Sequence, residues 1–217
     1  MSPSPPSKTR GPTGSALPPP AWLTSKSLPV DVLPAGTVLH RIHRVSLGPV
    51  FFGPGPGVPP TSRFDSASGR FGVLYVGLSR ASAVAETLLR NPQRLMVATS
   101  QIMDRTATEL ACRRELRVVK LYGSGLQAVG TDNAISTGPY EPCGLWSDAF
   151  WDHPDQPDGI AYQSRHASNE ICLALFERPD MTFDIRSTKP LTAMLHEIAA
   201  LLDSYGKSLS PSGMAEP

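Results

Sequence analysis

Hydrophobic and polar residues alternate along several short stretches of the chain, and this period of two predicts β-strands. Residues 37–45 (TVLHRIHRV) are the clearest case, because they are rich in β-branched residues and place Leu39, Arg41 and His43 on one face. Shorter or more uniformly apolar runs predict further strands at residues 73–76, 95–103, 116–122, 160–163 and 171–177.

Helices are predicted in three places between or after these strands. Ser79 is a suitable N-cap for a helix that runs to about Arg90, and residues 141–151 form a second predicted helix. The third lies between Pro190 and Gly206, where apolar residues recur at helical spacing: Leu191, Met194, Leu195, Ile198, Leu201, Leu202 and Tyr205. Many short strands with few helices and no regular βαβ alternation predict a single compact α+β domain of mostly antiparallel strands.

The two ends of the chain differ in composition from its centre. Residues 1–30 contain eight prolines among Ser, Thr and Gly, with few large apolar side chains to offset the entropy of ordering. We therefore expect a disordered leader at residues 1–30, a folded domain at residues 31–206 and a flexible tail at residues 207–217. A chain of 217 residues is long enough for one well-buried domain and short for two.

Charge and cysteine content exclude several classes of protein. Twenty Lys and Arg against nineteen Asp and Glu give a net charge of +1, which argues against a nucleic-acid or polybasic membrane-binding surface. Cys112, Cys143 and Cys172 form no CxxC pair, so we expect reduced thiols and no structural zinc. Because no apolar run approaches the roughly 20 residues of a spanning helix, we expect a cytoplasmic protein.

Motifs of the common hydrolases, zinc enzymes and nucleotide-binding loops are absent from the sequence. The remaining candidates are polar residues on or beside predicted elements: Arg41, Arg63, Tyr75, Glu86 and Ser164. Each has an ordinary structural explanation, since Glu86 could be a solvated helix residue paired with Arg90, and Tyr75 a half-buried core aromatic. These residues alone leave the function undecided.

Their order along the chain, however, is similar to that of the RES domain, a family named for an arginine, a glutamate and a serine. The front of that domain resembles residues 39–42 (LHRI), 63–65 (RFD), 72–77 (GVLYVG) and 83–88 (AVAETL), and its back half resembles residues 158–165 (DGIAYQSR) and 172–176 (CLALF). The resemblance covers roughly residues 34–205. It implies a compact fold related to ADP-ribosyltransferases.

The resemblance also implies a function. RES proteins are bacterial toxins that cleave the nicotinamide–ribose bond of NAD, as glycohydrolases or phosphorylases, and are neutralised by Xre-type helix-turn-helix antitoxins. On this basis Glu86 would stabilise the oxocarbenium-like transition state, and Arg41 and Arg63 would hold the pyrophosphate. Tyr75 would pack against the nicotinamide, and Ser164 would hydrogen-bond the substrate or orient Glu86. NAD is then the substrate, and no metal or cofactor is implied.

Two other functions remain open from the sequence. The same fold could transfer ADP-ribose to a protein, or it could be a non-catalytic module that binds a nucleotide. The acceptor of the ADP-ribosyl group (water, phosphate or protein), the identity of the antitoxin and the formation of a homodimer are also left open. The Pro- and Gly-rich loop at residues 48–60 is longer than the resemblance leads us to expect, and its role is open.

Overall fold

The short apolar stretches assemble into one mixed β-sheet. The computed structural model describes residues 14–210. Within these residues there are ten strands: β1 (Val30–Leu33), β2 (Val38–Arg44), β3 (Val73–Gly77), β4 (Met96–Val97), β5 (Arg105–Cys112), β6 (Leu116–Leu121), β7 (Gly159–Gln163), β8 (Ile171–Phe176), β9 (Phe183–Pro190) and β10 (Ser208–Leu209). Eight of them form a sheet in the order β1-β6-β7-β8-β3-β2-β5-β9, in which only β6 and β7 pair in parallel. Strands β4 and β10 form a separate parallel pair.

Six α-helices connect and cover the strands. They are α1 (Arg80–Leu88), α2 (Ser100–Met103), α3 (Ser124–Val129), α4 (Ala134–Thr137), α5 (Glu141–Trp151) and α6 (Leu195–Asp203). Single turns of 3₁₀-helix lie at Leu23–Ser25 and Leu191–Met194. Within residues 14–210, no helix has both the length and the apolar character that crossing a membrane requires.

Three groups of buried side chains hold these layers together. One face of the sheet packs against α5 through Phe64, Trp146 and Phe150, none of which has exposed surface. The opposite face forms a second cluster around Leu39 and Leu74. The third joins α1 to the C-terminal helix through residues that include Val84, Ala85, Leu88, Ile198 and Leu202. Burial of each large side chain contributes about 1.5–3 kcal/mol relative to an exposed position.

Helix α1 begins where the sequence predicts it. The Ser79 hydroxyl accepts a hydrogen bond from the Ser82 backbone N–H at 2.9 Å, and the Ser79 N–H donates to the Ser82 hydroxyl at 3.1 Å. This capping box satisfies backbone donors that the first turn would otherwise leave free. The helix buries Val84 and Ala85, which leaves Glu86 partly exposed at the side of the helix.

Most strand predictions are confirmed by the structure, including those for residues 160–163 and 171–177, and these two strands pair antiparallel with each other. The prediction for residues 95–103 is wrong in part, since only Met96–Val97 is a strand and residues 100–103 are helical. Strands β5 and β9 are absent from the sequence prediction. Both carry polar residues along much of their length, so their alternation is weak, and β9 lies at an edge of the sheet.

The N-terminal segment needs a correction. Of the predicted disordered leader, residues 1–13 lie outside the described residues, but residues 14–29 pack against the domain. Leu23 and Leu28 are only 2% and 7% exposed. The indole N–H of Trp146 donates to the Leu17 carbonyl at 2.8 Å, and the imidazole of His153 contacts the Leu23 carbonyl at 3.2 Å. Side chains of the domain thus add hydrogen bonds to the few that this Pro-rich segment forms within itself.

The prediction of a flexible tail is wrong for residues 208–210. Residues Ser208–Leu209 form strand β10, and the Ser210 N–H donates to the Val97 carbonyl at 2.9 Å. Pairing with β4 orders this part of the tail, because each strand satisfies the backbone groups of the other. Residues 211–217 lie outside the described residues.

Candidate functional site

Glu86 and Ser164 meet although they are 78 residues apart in the sequence. Glu86 lies on α1, and Ser164 directly follows β7. The Ser164 hydroxyl donates to Glu86 Oε1 at 2.6 Å and accepts from the backbone N–H groups of His166, at 3.1 Å, and Ala167, at 3.3 Å. Ser164 is 2% exposed. Because the single hydroxyl proton is given to Glu86, this arrangement suits Ser164 to orienting the carboxylate.

Arg90 does not pair with the Glu86 carboxylate. Its Nε donates instead to the backbone carbonyl of Glu86 at 2.7 Å, where α1 ends. Within residues 14–210, Ser164 is the only side chain that donates a hydrogen bond to this carboxylate. Glu86 Oε2 therefore keeps its lone pairs for a ligand, while Oε1 is held in place.

Arg63 is an almost fully buried cation, with 7% of its surface exposed. Its Nη1 donates to the carbonyls of Ile135, at 3.1 Å, and Gly138, at 2.9 Å, and the Tyr140 ring centroid lies 4.5 Å from the guanidinium carbon. The second terminal nitrogen, Nη2, is buried and has no hydrogen-bond partner among residues 14–210. A buried donor without a partner costs about 1–3 kcal/mol, so this nitrogen is suited to an anionic ligand.

Tyr75 holds the turn that carries Arg63. Its hydroxyl donates to Asp65 Oδ1 and accepts from the Phe64 backbone N–H, both at 2.9 Å. The other oxygen of Asp65 accepts from the backbone N–H groups of Thr61, at 2.8 Å, and Ser62, at 2.6 Å. Burial, with the charge of Asp65 adding to it, raises the pKa of Tyr75 well above its usual value. The Tyr75 hydroxyl is thus a neutral link between β3 and the Arg63 turn.

Arg41 lies on the other face of the sheet. Strand β2 pairs His40 with Gly77 of β3, so His40 shares the face of Tyr75, and Arg41 faces the opposite side. Its Nη1 donates to the loop carbonyls of Pro49, at 2.9 Å, and Phe51, at 3.4 Å. Burial lowers the pKa of Arg41 to about 10. The structure therefore brings Glu86, Ser164, Arg63 and Tyr75 to one side of the sheet and does not bring Arg41 to them.

Tyr162 belongs to the site and was not singled out from the sequence. It is 6% exposed, and its ring lies 4.9 Å from that of Phe64. Burial raises the pKa of Tyr162 well above its usual value, the charge of Glu86 raises it further, and the charge of Arg63 opposes the shift. Its hydroxyl therefore lies within the fields of both charged groups. Strand alternation could have indicated it, because Tyr162 lies two positions before Ser164.

His166 is the second neighbour that sequence reasoning missed. Burial lowers its pKa, the charge of Glu86 opposes that shift, and the charges of Arg165, Arg90 and Arg63 add to it. The lowered pKa favours the neutral imidazole, which can supply polarity to the site.

Metal chemistry and thiol chemistry find no support in the described part of the chain. Residues 14–210 contain no group of three or more His, Cys, Asp or Glu side chains that could hold a metal ion. The three cysteines are free and buried. Burial, aided by the charges of Glu86 and Glu170, raises the pKa of the Cys172 thiol, so its reactive thiolate form is suppressed.

The fold and these residues agree with one protein family. The sequence model of the RES domain matches residues 38–195, which is most of the chain, and the protein therefore belongs to the RES domain family. The predicted α+β domain with a mostly antiparallel sheet is confirmed.

Two relatives illustrate the similarity. The chain is 28% identical over 111 residues to the probable toxin y4kH of Sinorhizobium fredii (strain NBRC 101917 / NGR234), a match that covers 50% of this chain and 86% of that protein. It also superposes on a chain of the crystal structure of the M. tuberculosis MbcT–MbcA toxin–antitoxin complex with a TM-score of 0.58 and 15% identity. That match covers 78% of this chain and 92% of the other, and it shows a shared fold.

Proposed function

We propose that the protein is the toxin of a toxin–antitoxin pair and that it cleaves the nicotinamide–ribose bond of NAD. The toxin role is supported by membership of the RES family and by the printed descriptions of its relatives. The catalytic role rests on one observation, the 2.6 Å hydrogen bond by which Ser164 holds the Glu86 carboxylate beside Tyr162 and the buried Arg63.

The chemistry needs a single well-placed carboxylate. Departure of nicotinamide leaves positive charge on the anomeric carbon of ribose, and the leaving group is neutral, so no proton donor is needed. A fixed negative charge that faces the developing cation lowers the barrier. In this proposal Glu86 Oε1 stays bonded to Ser164, and Oε2 binds a ribose hydroxyl and stabilises the cation.

Arg63 supplies the anchor for the diphosphate. Its unpartnered Nη2 can donate to a phosphate oxygen, and a charge-assisted hydrogen bond of this kind is about twice as strong as a neutral one. Arg41 has a different role in the proposal, because its contacts to Pro49 and Phe51 hold the loop at residues 48–60 against β2. Tyr75 acts through the turn that positions Arg63, and Tyr162 lies within the electric fields of both Glu86 and Arg63.

Nicotinamide release from NAD by the purified full chain tests the proposal. The Glu86→Gln variant keeps the shape of the side chain and removes its charge, and we expect at least a hundredfold fall in rate. Glu115→Gln is the matched control, since Glu115 is an exposed residue in the connection between β5 and β6. Release by Glu86→Gln at the rate of the control would contradict the assignment. Product analysis with and without phosphate identifies the acceptor.

The toxin role has its own test. Expression of the wild-type chain in bacteria is expected to lower cellular NAD and arrest growth, whereas Glu86→Gln is expected to do neither. Co-expression with an Xre-type partner from the same operon is expected to restore growth. Growth arrest by both chains, with NAD unchanged, would separate toxicity from NAD cleavage and refute the proposed mechanism.

A further inference from the structure

A basic cavity lies at the C-terminal end of α1, where β2 ends and β5 begins. Its volume is about 510 Å³, which is within the range of ligand-binding clefts. Its lining includes five cationic residues and one acidic residue, Asp104; the cations are Arg44, Arg90, Arg94, Arg105 and Lys207. A chain with a net charge of only +1 thus concentrates positive charge at one place.

The acidic residue does not neutralise this charge. Asp104 contacts Arg105 at 3.1 Å and Arg44 at 3.9 Å. Arg90 donates to the Glu86 backbone carbonyl, and Lys207 Nζ donates to the Pro92 carbonyl at 2.6 Å. Within residues 14–210 neither Arg90 nor Lys207 forms an ion pair with a carboxylate. Backbone carbonyls orient these cations and leave their charge available to an anion.

Three highly exposed apolar residues adjoin lining residues of the cavity in the sequence, and we call them its apolar rim. Leu95, Met103 and Val45 are 71%, 69% and 65% exposed, and they are the three most exposed large apolar side chains among the described residues. Each is adjacent in sequence to a residue that lines the cavity, and the Val45 N–H donates to the Asp104 carbonyl at 2.8 Å. Exposed apolar groups beside a charged cleft are typical of an interaction surface.

The positive charge and the exposed apolar residues together indicate which class of ligand fits the cavity. A small inorganic anion would use the cations and leave the apolar rim exposed. Bound nucleic acid stacks its bases on aromatic side chains, and no aromatic residue lines this cavity in the described part of the chain. A polypeptide segment that interleaves carboxylates with large apolar residues matches both parts, since arginines form paired hydrogen bonds with carboxylates.

We propose that the basic cavity and its apolar rim bind an acidic, amphipathic segment of a partner protein. The carboxylates enter the cavity near Arg44, Arg90 and Lys207, and the apolar side chains cover Leu95, Met103 and Val45. The proposal is independent of NAD cleavage. It uses neither Ser164 nor the Glu86 carboxylate.

The test is fluorescence anisotropy with the full chain and a labelled synthetic peptide in which glutamates alternate with leucines. We expect saturable binding that weakens at least tenfold in the Arg44→Glu variant and severalfold in Met103→Ser. Two control variants carry the same types of substitution at exposed residues that do not line the cavity. Arg186→Glu alters an exposed arginine that also lies 3.9 Å from an aspartate, and Ile185→Ser alters a side chain that is 55% exposed.

Both controls are expected to bind the peptide as the wild type does. The Glu86→Gln chain is also expected to bind it normally, so failure of the proposed catalysis would not affect this result. Equal binding by Arg44→Glu and Arg186→Glu would overturn the proposal. A single-stranded oligonucleotide that binds more tightly than the peptide, and whose binding is lost in Arg44→Glu but kept in Met103→Ser, would assign the cavity to nucleic acid and also overturn it.

Discussion

Replacement of Ser164 by alanine tests the geometry on which the catalytic proposal rests. The substitution removes one oxygen atom that has three partners: Glu86 Oε1 at 2.6 Å, the His166 N–H at 3.1 Å and the Ala167 N–H at 3.3 Å. No apolar contact of the side chain is lost, because the Cβ atom remains. The effect of the change therefore reports on the hydrogen bonds alone.

The magnitude follows from these contacts. A hydrogen bond to a charged group contributes about 1.5–3 kcal/mol, and the two backbone donors lose their acceptor in a position that is 2% exposed. We expect the free energy of unfolding to fall by about 3 kcal/mol, which corresponds to roughly 6–12 °C in Tm for a domain of this size. Loss of the fixed carboxylate orientation should lower kcat for NAD cleavage by about 10–100-fold, with a smaller change in KM.

Ser136→Ala is the matched control for this experiment. Ser136 is 3% exposed, and its hydroxyl has no hydrogen-bond partner among residues 14–210. Removal of an unpaired buried hydroxyl is expected to leave stability unchanged or slightly higher. Thermal unfolding followed by circular dichroism and the nicotinamide assay would be run on both variants. If Ser164→Ala were as stable and as active as Ser136→Ala, the positioning role of Ser164 would be refuted.

Three further predictions concern single groups. Tyr162→Phe should lower NAD cleavage about tenfold with little change in Tm, since its hydroxyl lies near Glu86 but has no hydrogen-bond partner in residues 14–210; a normal rate would exclude a role for the hydroxyl. Cys172 should resist iodoacetamide at pH 8 until the protein unfolds, because burial raises its thiol pKa. Rapid labelling of Cys172 in the native protein, detected by mass spectrometry, would contradict this. Burial and a hydrogen bond to Asp31 raise the pKa of Tyr122 to about 12. The stabilisation from this shift is complete below pH ~10 and is lost as pH rises towards 12. The titration of Tyr122 is measured as the difference in tyrosinate absorbance between chains with and without Tyr122→Phe. The Asp31→Asn substitution should move the midpoint of this titration towards 10.

Local sequence signals predict individual elements well where a strong cap or apolar pattern is present. Ser79 begins α1 as predicted, and Leu39 is fully buried near the start of its strand. Strand β5, which the sequence analysis did not predict, mixes polar and apolar residues without clear alternation. Its conformation is set by pairing with β2 at seven positions, from Val38↔Ala111 to Arg44↔Arg105. Such pairing joins distant parts of the chain, so no short window of sequence contains it.

Composition misleads where a segment finds partners outside itself. The prolines before residue 30 indicate disorder, yet residues 14–29 are packed because Trp146 and His153 bond to their carbonyls. Proline also lowers the entropy lost on ordering, so few such contacts suffice. The near-neutral total charge likewise conceals the basic cavity, because Arg44 and Lys207 are brought together only by the fold.

The sequence by itself predicted where most elements begin, because capping and alternation depend on neighbours a few positions apart. Its resemblance to the RES domain gave Glu86, Ser164 and Arg63 as candidate site residues. Only the tertiary structure decided which of these groups share a side of the sheet. The sequence placed Arg41 in the site and did not single out Tyr162. The pairing of β2 with β3 turns Arg41 to the other face, whereas Tyr162, near the end of β7, lies within the electric fields of both Glu86 and Arg63. Strand register and the packing of α1 are set by contacts between segments that are far apart in the sequence. A short stretch of sequence therefore does not reveal them.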